Sequence, residues 1–562
     1  MSNTICDVLV VGSGAAGMTA ALTAARKGLK VIVTEKEPVY GGTSAWSGGF
    51  LWVPGNKVCA EAGISDSVEA ANEYLKSEAG NFYNQDRVMA FLDAGPEMVD
   101  FVRKEGVDFD ASPAFSDYHP DQPGAMPGGR SIVAAPMDAR LLGDDLARIR
   151  RPKKEMTFMG LQIGSGPELV HFFNFSRSLA SFAYVTRRMA AHGIDILRNG
   201  RSMRMTNGNA LVGRLFHACR KAGVEFWPES PVSKLTITDG QVTGAEVSRA
   251  SGLVTVAAPK GVVLAAGGFP RDPEMTARLY GRKVTDGAHV SAAPEGNTGD
   301  GLKLGARAGG NVVEDLPNAA AWAPVSLVPR GDGTFGDFPH FICRGKPGVI
   351  GVLRTGERFV NEANSYHDFV QGLIAATEGK AKPEAFLICD HKTIRRYGLG
   401  YVRPSPMPLS PHVRSGYAIK GETIAELAQN AGIDADGLAK TLELFNADAR
   451  QGKDTAFHKG STAYNLFHGD ATHKPHPNLA PLENGPFYGI RVIPGDIGTF
   501  VGLNTDENAQ VLDGEGQPVK GLYAAGNDML SVMGGAYPGG GITLGPGMTF
   551  GYVAANHIAA NS

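Results

Sequence analysis

Gly12, Gly14 and Gly17 follow directly on the short apolar run Val8-Leu9-Val10-Val11, at the spacing G-x-G-x-x-G. Glycines at those three places allow a tight turn, a close approach of backbone to phosphate, and close packing of the next helix on the strand. An alanine-rich stretch, Ala16 to Arg26, comes next, and Lys30 to Thr34 reads as a second strand closing on Glu35. Strand, glycine turn, helix, strand and acid in that order lay a pyrophosphate on a helix N-terminus and hydrogen-bond a ribose. Dinucleotide binding is therefore the chemistry expected here. No second fingerprint of this kind with a following acid occurs, so a dedicated nicotinamide-nucleotide domain is not expected. The five cysteines are scattered, odd in number and never paired as C-x-x-C, which argues for a reducing compartment and for no metal site.

The rest of the chain must position such a site. Val232 to Thr238 and Val242 to Val247 read as a hairpin through Asp239-Gly240, and Gly261 to Ala266 as a buried strand running into Gly267-Gly268. Ala385 to Cys389 reads as a strand, Ile424 to Ala449 as helical, Gln510 to Val519 as a hairpin, Gly521 to Ala525 as a strand and Leu544 to Ala560 as a helix. A glycine-rich style returns at Ile493 to Thr499. The expected organisation is a first lobe over residues 1–322, a second over 323–490, and a return to the first over 491–562. The stretch of about 141–203 looks like an insertion. Its cluster Arg148, Arg150, Arg151, Lys153 and Lys154, followed by Phe158, Phe172, Phe173, Phe175 and Phe182, matches segments that touch a membrane surface, so peripheral contact over about 148–182 is an expectation.

At 562 residues with a formal net charge of -3, the chain can bury a large ligand and has no overall pull toward nucleic acid. The 74 glycines cluster at strand ends rather than in a repeat. No apolar run approaches a membrane span, and a strand entered at Ile5 leaves no room for a signal peptide, so a soluble cytoplasmic protein is expected, with any membrane contact at the inner face.

Five stretches carry a resemblance: the N-terminal fingerprint, EKEPVYGGTSAWSGG, VVLAAGGF, GERFVNEANSYHDF and GLYAAGNDMLSVMGGAYPGGGITLGPGMTFGYVAA. With them the chain resembles the fumarate reductase and 3-ketosteroid dehydrogenase flavoprotein superfamily along nearly its whole length. The resemblance implies an α/β fold with a Rossmann-type FAD-binding lobe built from N- and C-terminal segments and an inserted α+β catalytic lobe. It also implies FAD held by Gly12, Gly14, Ala15, Ala16, Gly17, Glu35, Lys36, Gly42, Thr43, Ser44, Gly48, Gly49, Val232, Ala266, Gly267, Gly268, Asn527, Asp528, Thr543 and Leu544. Covalent relatives carry histidine at the place of Gly42, so noncovalent FAD is expected.

Dehydrogenating a ring beside a ketone requires a base, donors for the developing enolate and a hydride acceptor. Three segments resemble catalytic stretches of 3-ketosteroid 1-dehydrogenases: Asp117-Tyr118-His119-Pro120, Asn361 to Tyr366, and Tyr537 to Gly541. The resemblance implies Tyr366 as base on carbon 2, Tyr118 assisting its ionisation, and Tyr537 with the Gly541 amide holding the carbon 3 ketone. Sequence leaves open whether Tyr118 or His119 faces the site. Fumarate chemistry would need an arginine and histidine clamp, and the chain instead has Gly534-Gly535-Ala536-Tyr537-Pro538 and Tyr366-His367 at the corresponding places. The expected function is 1,2-dehydrogenation of a 3-ketosteroid, with a smaller cyclohexanone-type ketone or enone reduction as alternatives, and a quinone-like or dye-type electron acceptor.

Overall fold

In the computed structural model, which describes residues 2–281, 284–285, 289–378 and 382–561, Val8–Val11 is a fully buried strand. Val31–Thr34 and Gly261–Leu264 flank it in parallel. The sheet extends to Glu225–Trp227 on one side and to Pro518–Ala524 on the other, with Gln510–Leu512 antiparallel at the edge. Strands covered on both faces carry continuous apolar runs, which is why these segments lack alternation. The helix Ala15–Arg26 packs on the C-terminal helix Leu544–Ala560, and small residues set the distance: a Cβ on Gly551 would lie 2.4 Å from the Ala16 carbonyl oxygen. Residues from the two ends of the chain thus build one sheet and its helical cover. A separate four-stranded sheet, ordered Ser2–Ile5, Gly252–Ala257, Gln241–Arg249 and Val232–Thr238, contains the hairpin expected through Asp239-Gly240.

A seven-stranded sheet centres on the long strand Phe487–Thr499, paired with Ala320–Pro329 and Ala385–Asp390. Val290–Ser291 and Ile419–Gly421 also pair with the long strand. The boundaries expected at 322 and 490 fall inside Ala320–Pro329 and Phe487–Thr499, and the sheet runs from Val290 to Thr499. Local pattern shows that a strand exists but not which sheet it joins. The helical stretch expected over Ile424 to Ala449 is two helices, Ile424–Ala431 and Ala435–Arg450, separated at Gly432, whose φ of 67° ends the first.

Met137–Asp138 pairs antiparallel with Arg204–Met205 and closes off the intervening segment, which carries the helices Pro167–Phe173 and Leu179–Asn199. Its basic cluster is not one outward face. Arg150 and Lys153 are buried, paired with Glu37 at 3.1 Å and with Asp337, and both lie over the Trp46 ring. Only Arg148, Arg151 and Lys154 of the cluster are exposed. Two of the five charges expected at a lipid surface are therefore turned inward, because the Glu37 and Asp337 carboxylates and the Trp46 face offer them partners. Among the described residues no helix is long and apolar enough to cross a membrane.

An internal ion pair ties Arg130, which precedes the strand Ser131–Ala134, to the loop that carries Asp117. Arg130, 1% exposed, donates to Asp117 at 2.7 Å and to Asp66 at 2.9 and 3.0 Å, between the faces of Trp52 and Tyr74. Removing one partner of such a pair leaves a buried charge uncompensated. Arg130→Ala is expected to lose about 3–5 kcal/mol of unfolding free energy, read by denaturant unfolding; a loss under about 1 kcal/mol, the scale of a surface pair, would contradict the assignment.

Candidate functional site

The helix Ala15–Arg26 begins at Gly14 with no side-chain cap, and Ser44 Oγ accepts from the Ala15 N–H at 3.1 Å. The three fingerprint glycines differ in what surrounds them. A Cβ at Gly12 would lie 2.2 Å from the Ala265 carbonyl oxygen, and one at Gly17 2.2 Å from that of Gly12. At Gly14 it would meet only Ser44 Oγ, at 3.5 Å. Gly12 and Gly17 are required by packing, whereas Gly14 opens onto free space at a helix N-terminus, where an anion is favoured. The Glu35 carboxylate accepts from Ser13 Oγ at 2.5 Å and from the Glu37 N–H at 3.0 Å, which holds it at the end of its strand.

A single cavity of about 970 Å³ starts here. Gly12, Gly14, Ala15, Ala16, Glu35, Lys36, Gly42, Thr43, Ser44, Gly48, Gly49, Val232, Ala266, Gly267, Asn527, Thr543 and Leu544 line it. Gly17, Gly268 and Asp528 do not. Asp528 is fully buried behind the Gly267-Gly268 turn, accepting from the Ala266 N–H at 2.5 Å and the Gly268 N–H at 3.0 Å, and burial pushes its carboxyl up to about 6. It shapes the turn that lines the cavity and is not itself a lining residue. Gly42 has no side chain through which a cofactor could be attached at that position. The glycine turn, the uncapped helix and the oxygen of Glu35 fit an FAD molecule laid along this part of the cavity.

At its other end the cavity is lined by Tyr118, Tyr366, Tyr537 and Gly541. Three segments far apart in sequence deliver them. Tyr118 comes from the loop held by Asp117, whose carboxylate accepts from Arg130, from Trp52 Nε1 at 2.8 Å and from the Met126 N–H at 2.9 Å. Tyr366 is the first residue of the helix Tyr366–Thr377, capped by Ser365 Oγ accepting from the Asp368 N–H. Tyr537 sits before the glycine run, where Gly539, Gly540 and Gly541 press on Trp52, Phe115 and the Phe50 carbonyl so closely that side chains could not fit. The Tyr118 hydroxyl donates to Tyr366 Oη at 3.0 Å. The Tyr118 and Tyr537 rings stack at 5.5 Å, and Tyr366 meets Tyr537 edge-on at 5.1 Å. Among the described residues no acceptor takes the Gly541 N–H.

Burial raises all three phenols, Tyr366 and Tyr118 well above the usual tyrosine range and Tyr537 to about 12. For Tyr366 the neighbouring tyrosines add to the effect of burial. His119 points elsewhere: its Nδ1 meets Glu78 at 2.8 Å and its Nε2 meets Asp368 at 3.1 Å. Burial opposes its charge, but the hydrogen bonds to Asp368 and Glu78 prevail and lift it to about 10. It is a fixed imidazolium between two carboxylates, and Tyr118 is the residue of that pair that faces the cavity. Arg358, close to Tyr366 in sequence, is buried in ion pairs with Glu362 and Asp454 at 2.7 and 2.8 Å and serves as scaffold.

Sequence reasoning missed Tyr464, whose ring lies 4.6 Å from that of Tyr118, together with Phe115, Phe341, Lys346 and His468, all in the cavity wall. Tyr464 and His468 belong to the short helix Ala463–His468, which carries no motif; only proximity in space reveals them.

Residues 7–544 match the FAD binding domain family. The chain is 44% identical, over 99% of its length and 94% of the relative, to the 4-oxocyclohex-2-ene-1-carboxylate 5-dehydrogenase of Sinomonas cyclohexanicum. It is 37% identical to the 3-oxosteroid 1-dehydrogenase of Mycobacterium tuberculosis, with 98% of each chain covered. Among solved structures, the 3-ketosteroid delta1-dehydrogenase from Sterolibacterium denitrificans, in complex with 1,4-androstadiene-3,17-dione, superposes with a TM-score of 0.90 at 35% identity over both full chains.

The different surroundings of the fingerprint glycines generate a prediction. Gly14→Leu should fold, with circular dichroism unchanged, yet purify without visible flavin absorbance, because its side chain occupies the open cradle. Gly12→Leu should fail to accumulate as folded protein. Normal flavin content in the Gly14 variant would overturn the placement.

Proposed function

The chain belongs to the FAD-binding flavoprotein family that includes the 3-oxosteroid 1-dehydrogenases, and we propose that it introduces a carbon-carbon double bond beside the ketone of a cyclic substrate. The observation that carries this reading is the convergence of Tyr118, Tyr366, Tyr537 and the unengaged Gly541 amide in the cavity that also contains the glycine turn. Bound FAD, held noncovalently since Gly42 offers no attachment, supplies the acceptor for hydride.

The protein's own groups do the rest. Tyr366 Oη removes a proton from the carbon next to the carbonyl; in the resting pair its tyrosine neighbours keep it protonated, and the Tyr118 hydroxyl, 3.0 Å away, is placed to donate to the phenolate oxygen once that has formed. The Tyr537 hydroxyl and the Gly541 N–H hold the ketone oxygen and strengthen their hold as enolate charge develops. Hydride then leaves the adjacent carbon, so two hydrogens depart and one double bond forms. The aromatic wall of Phe50, Phe115 and Phe341 keeps water from the reacting carbons. A quinone-like or dye-type acceptor takes the electrons onward.

Two ring systems are supported. The steroid-bound neighbour at a TM-score of 0.90 favours a 3-ketosteroid desaturated at the 1,2-position. The relative at 44% identity favours a single six-membered ring. Both present the same reacting atoms to the same four groups.

Tyr366→Phe removes one hydroxyl and keeps the ring, so anaerobic single-turnover flavin reduction should slow by roughly a hundredfold or more with substrate binding little changed. Tyr537→Phe should weaken both binding and reduction. Wild-type flavin reduction in the Tyr366 variant would remove it as base.

The pH profile gives an independent check. The base must be deprotonated, and burial with its tyrosine neighbours raises Tyr366 well above the usual range. The wild-type reduction rate should therefore climb with pH, about tenfold per unit, up to about 10 without levelling off. A plateau near neutral pH would point to a different base.

A further inference from the structure

Beside Tyr464, Lys346 and His468 are among the polar groups of the cavity wall that the dehydrogenation does not use. Lys346 follows the tight turn Cys343–Gly345, and its Nζ donates to the Gly469 carbonyl at 2.6 Å and lies 5.8 Å from the Phe173 ring centre. No carboxylate forms an ion pair with it among the described residues. Asp470, the acid whose charge it feels, is already engaged by Arg396 at 3.1 Å and Tyr397 at 2.8 Å. Burial lowers the Lys346 ammonium to about 8, which still leaves most of it charged at neutral pH. His468 ends the helix Ala463–His468, is 6% exposed, and its Nε2 has no hydrogen-bond partner. Burial, with the charges of Lys346 and Arg344, keeps its ring neutral.

The two groups are neighbours. Gly345, next to Lys346, packs against His468 so closely that a Cβ there would lie 2.7 Å from His468 Cβ. His468 is also joined to the tyrosine cluster by two ring contacts of 4.6 Å, His468 to Tyr464 and Tyr464 to Tyr118. Phe115, Phe467 and Phe173 surround the pair. A cation without an ion-pair partner beside a buried, unsatisfied imidazole nitrogen, both on residues of the aromatic cavity wall, is a costly arrangement unless a ligand completes it.

Resting on the cyclic-ketone reading, we propose that Lys346 and His468 together receive a carboxylate carried by the substrate ring on the side away from its ketone. The preferred substrates are then ring ketones bearing an acid group. Lys346 supplies the charge and the His468 Nε2–H a directed donor, while Tyr537 and Gly541 hold the opposite oxygen. The ring is thereby fixed at two ends, with its reacting carbons before Tyr366.

The holoenzyme and its Lys346→Met variant would be compared on 4-oxocyclohex-2-ene-1-carboxylate and on its methyl ester. Wild type should favour the acid by about 30- to 100-fold in kcat/KM, the range of a hydrogen-bonded charge. Lys346→Met should erase that preference by raising KM for the acid far more than for the ester. His468→Phe should show a smaller loss of the same kind. Calorimetry provides a readout without turnover: 4-hydroxybenzoate should bind wild type more tightly than methyl 4-hydroxybenzoate, and equally in the lysine variant. Equal use of acid and ester by wild type, or turnover of a 3-ketosteroid with the acid inert, overturns the carboxylate site alone. Selective binding of 4-hydroxybenzoate through Lys346, with no flavin reduction by any ring ketone, supports the site and instead overturns the dehydrogenase reading.

Discussion

Arg130 sits where no water can solvate it, and the position of the reacting groups depends on how its charge is satisfied. Its guanidinium spans Asp66 and Asp117 between two aromatic faces. Asp117 in turn fixes the loop carrying Tyr118, whose backbone N–H donates to the Pro538 carbonyl at 2.9 Å. Tyr74, one of the two rings against Arg130, donates its hydroxyl to the same Pro538 oxygen at 2.7 Å. A buried charge therefore holds the Tyr118 loop against the Tyr537 segment. Such a pair does not have to add stability relative to an apolar core; what it adds here is a unique register between two loops.

The electrostatic character of the reacting end follows from what is missing beside the phenols. The nearest fixed cation on the Tyr118 loop, His119, is neutralised by Glu78 and Asp368, and His367, whose ring is 5.6 Å from Tyr537, is held neutral by burial at about 4. The tyrosines thus rest in their neutral forms and rely on one another's hydroxyls. That suits a neutral ketone, which has no charge to match and gains its charge only as the reaction proceeds. A dianionic substrate would find no clamp among these groups.

Glycine has two separate uses along the cavity. At Gly12, Gly17, Gly539 and Gly541 the backbone of one segment lies against the backbone or rings of another, and any side chain would force them apart. At Gly14 the space is free, at a helix N-terminus where an anion is favoured. Asp528 belongs to the first kind of device: hidden behind Gly267, it holds two backbone N–H groups and so sets the shape of a turn that other residues present to the cavity.

Much of this was legible in order along the chain. The strand Val8–Val11, the helix after it, the hairpin through Asp239-Gly240 and the C-terminal helix all follow from local periodicity and turn chemistry, because neighbouring residues alone decide them. The fingerprint glycines with Glu35 announced a dinucleotide site for the same reason: its parts lie within one strand-helix-strand unit. The three tyrosine segments were recognisable only through resemblance. What the sequence could not determine depends on contacts between residues tens to hundreds of positions apart. Whether Tyr118 or His119 faces the cavity was decided by Glu78 and Asp368 capturing the imidazole. The inward turn of Arg150 and Lys153 was decided by Glu37, Asp337 and Trp46, where composition had suggested an outward basic face. Tyr464, Lys346 and His468 joined the site through tertiary packing alone, since the neighbourhood of a side chain in space is set by the fold and leaves no periodic trace in the chain.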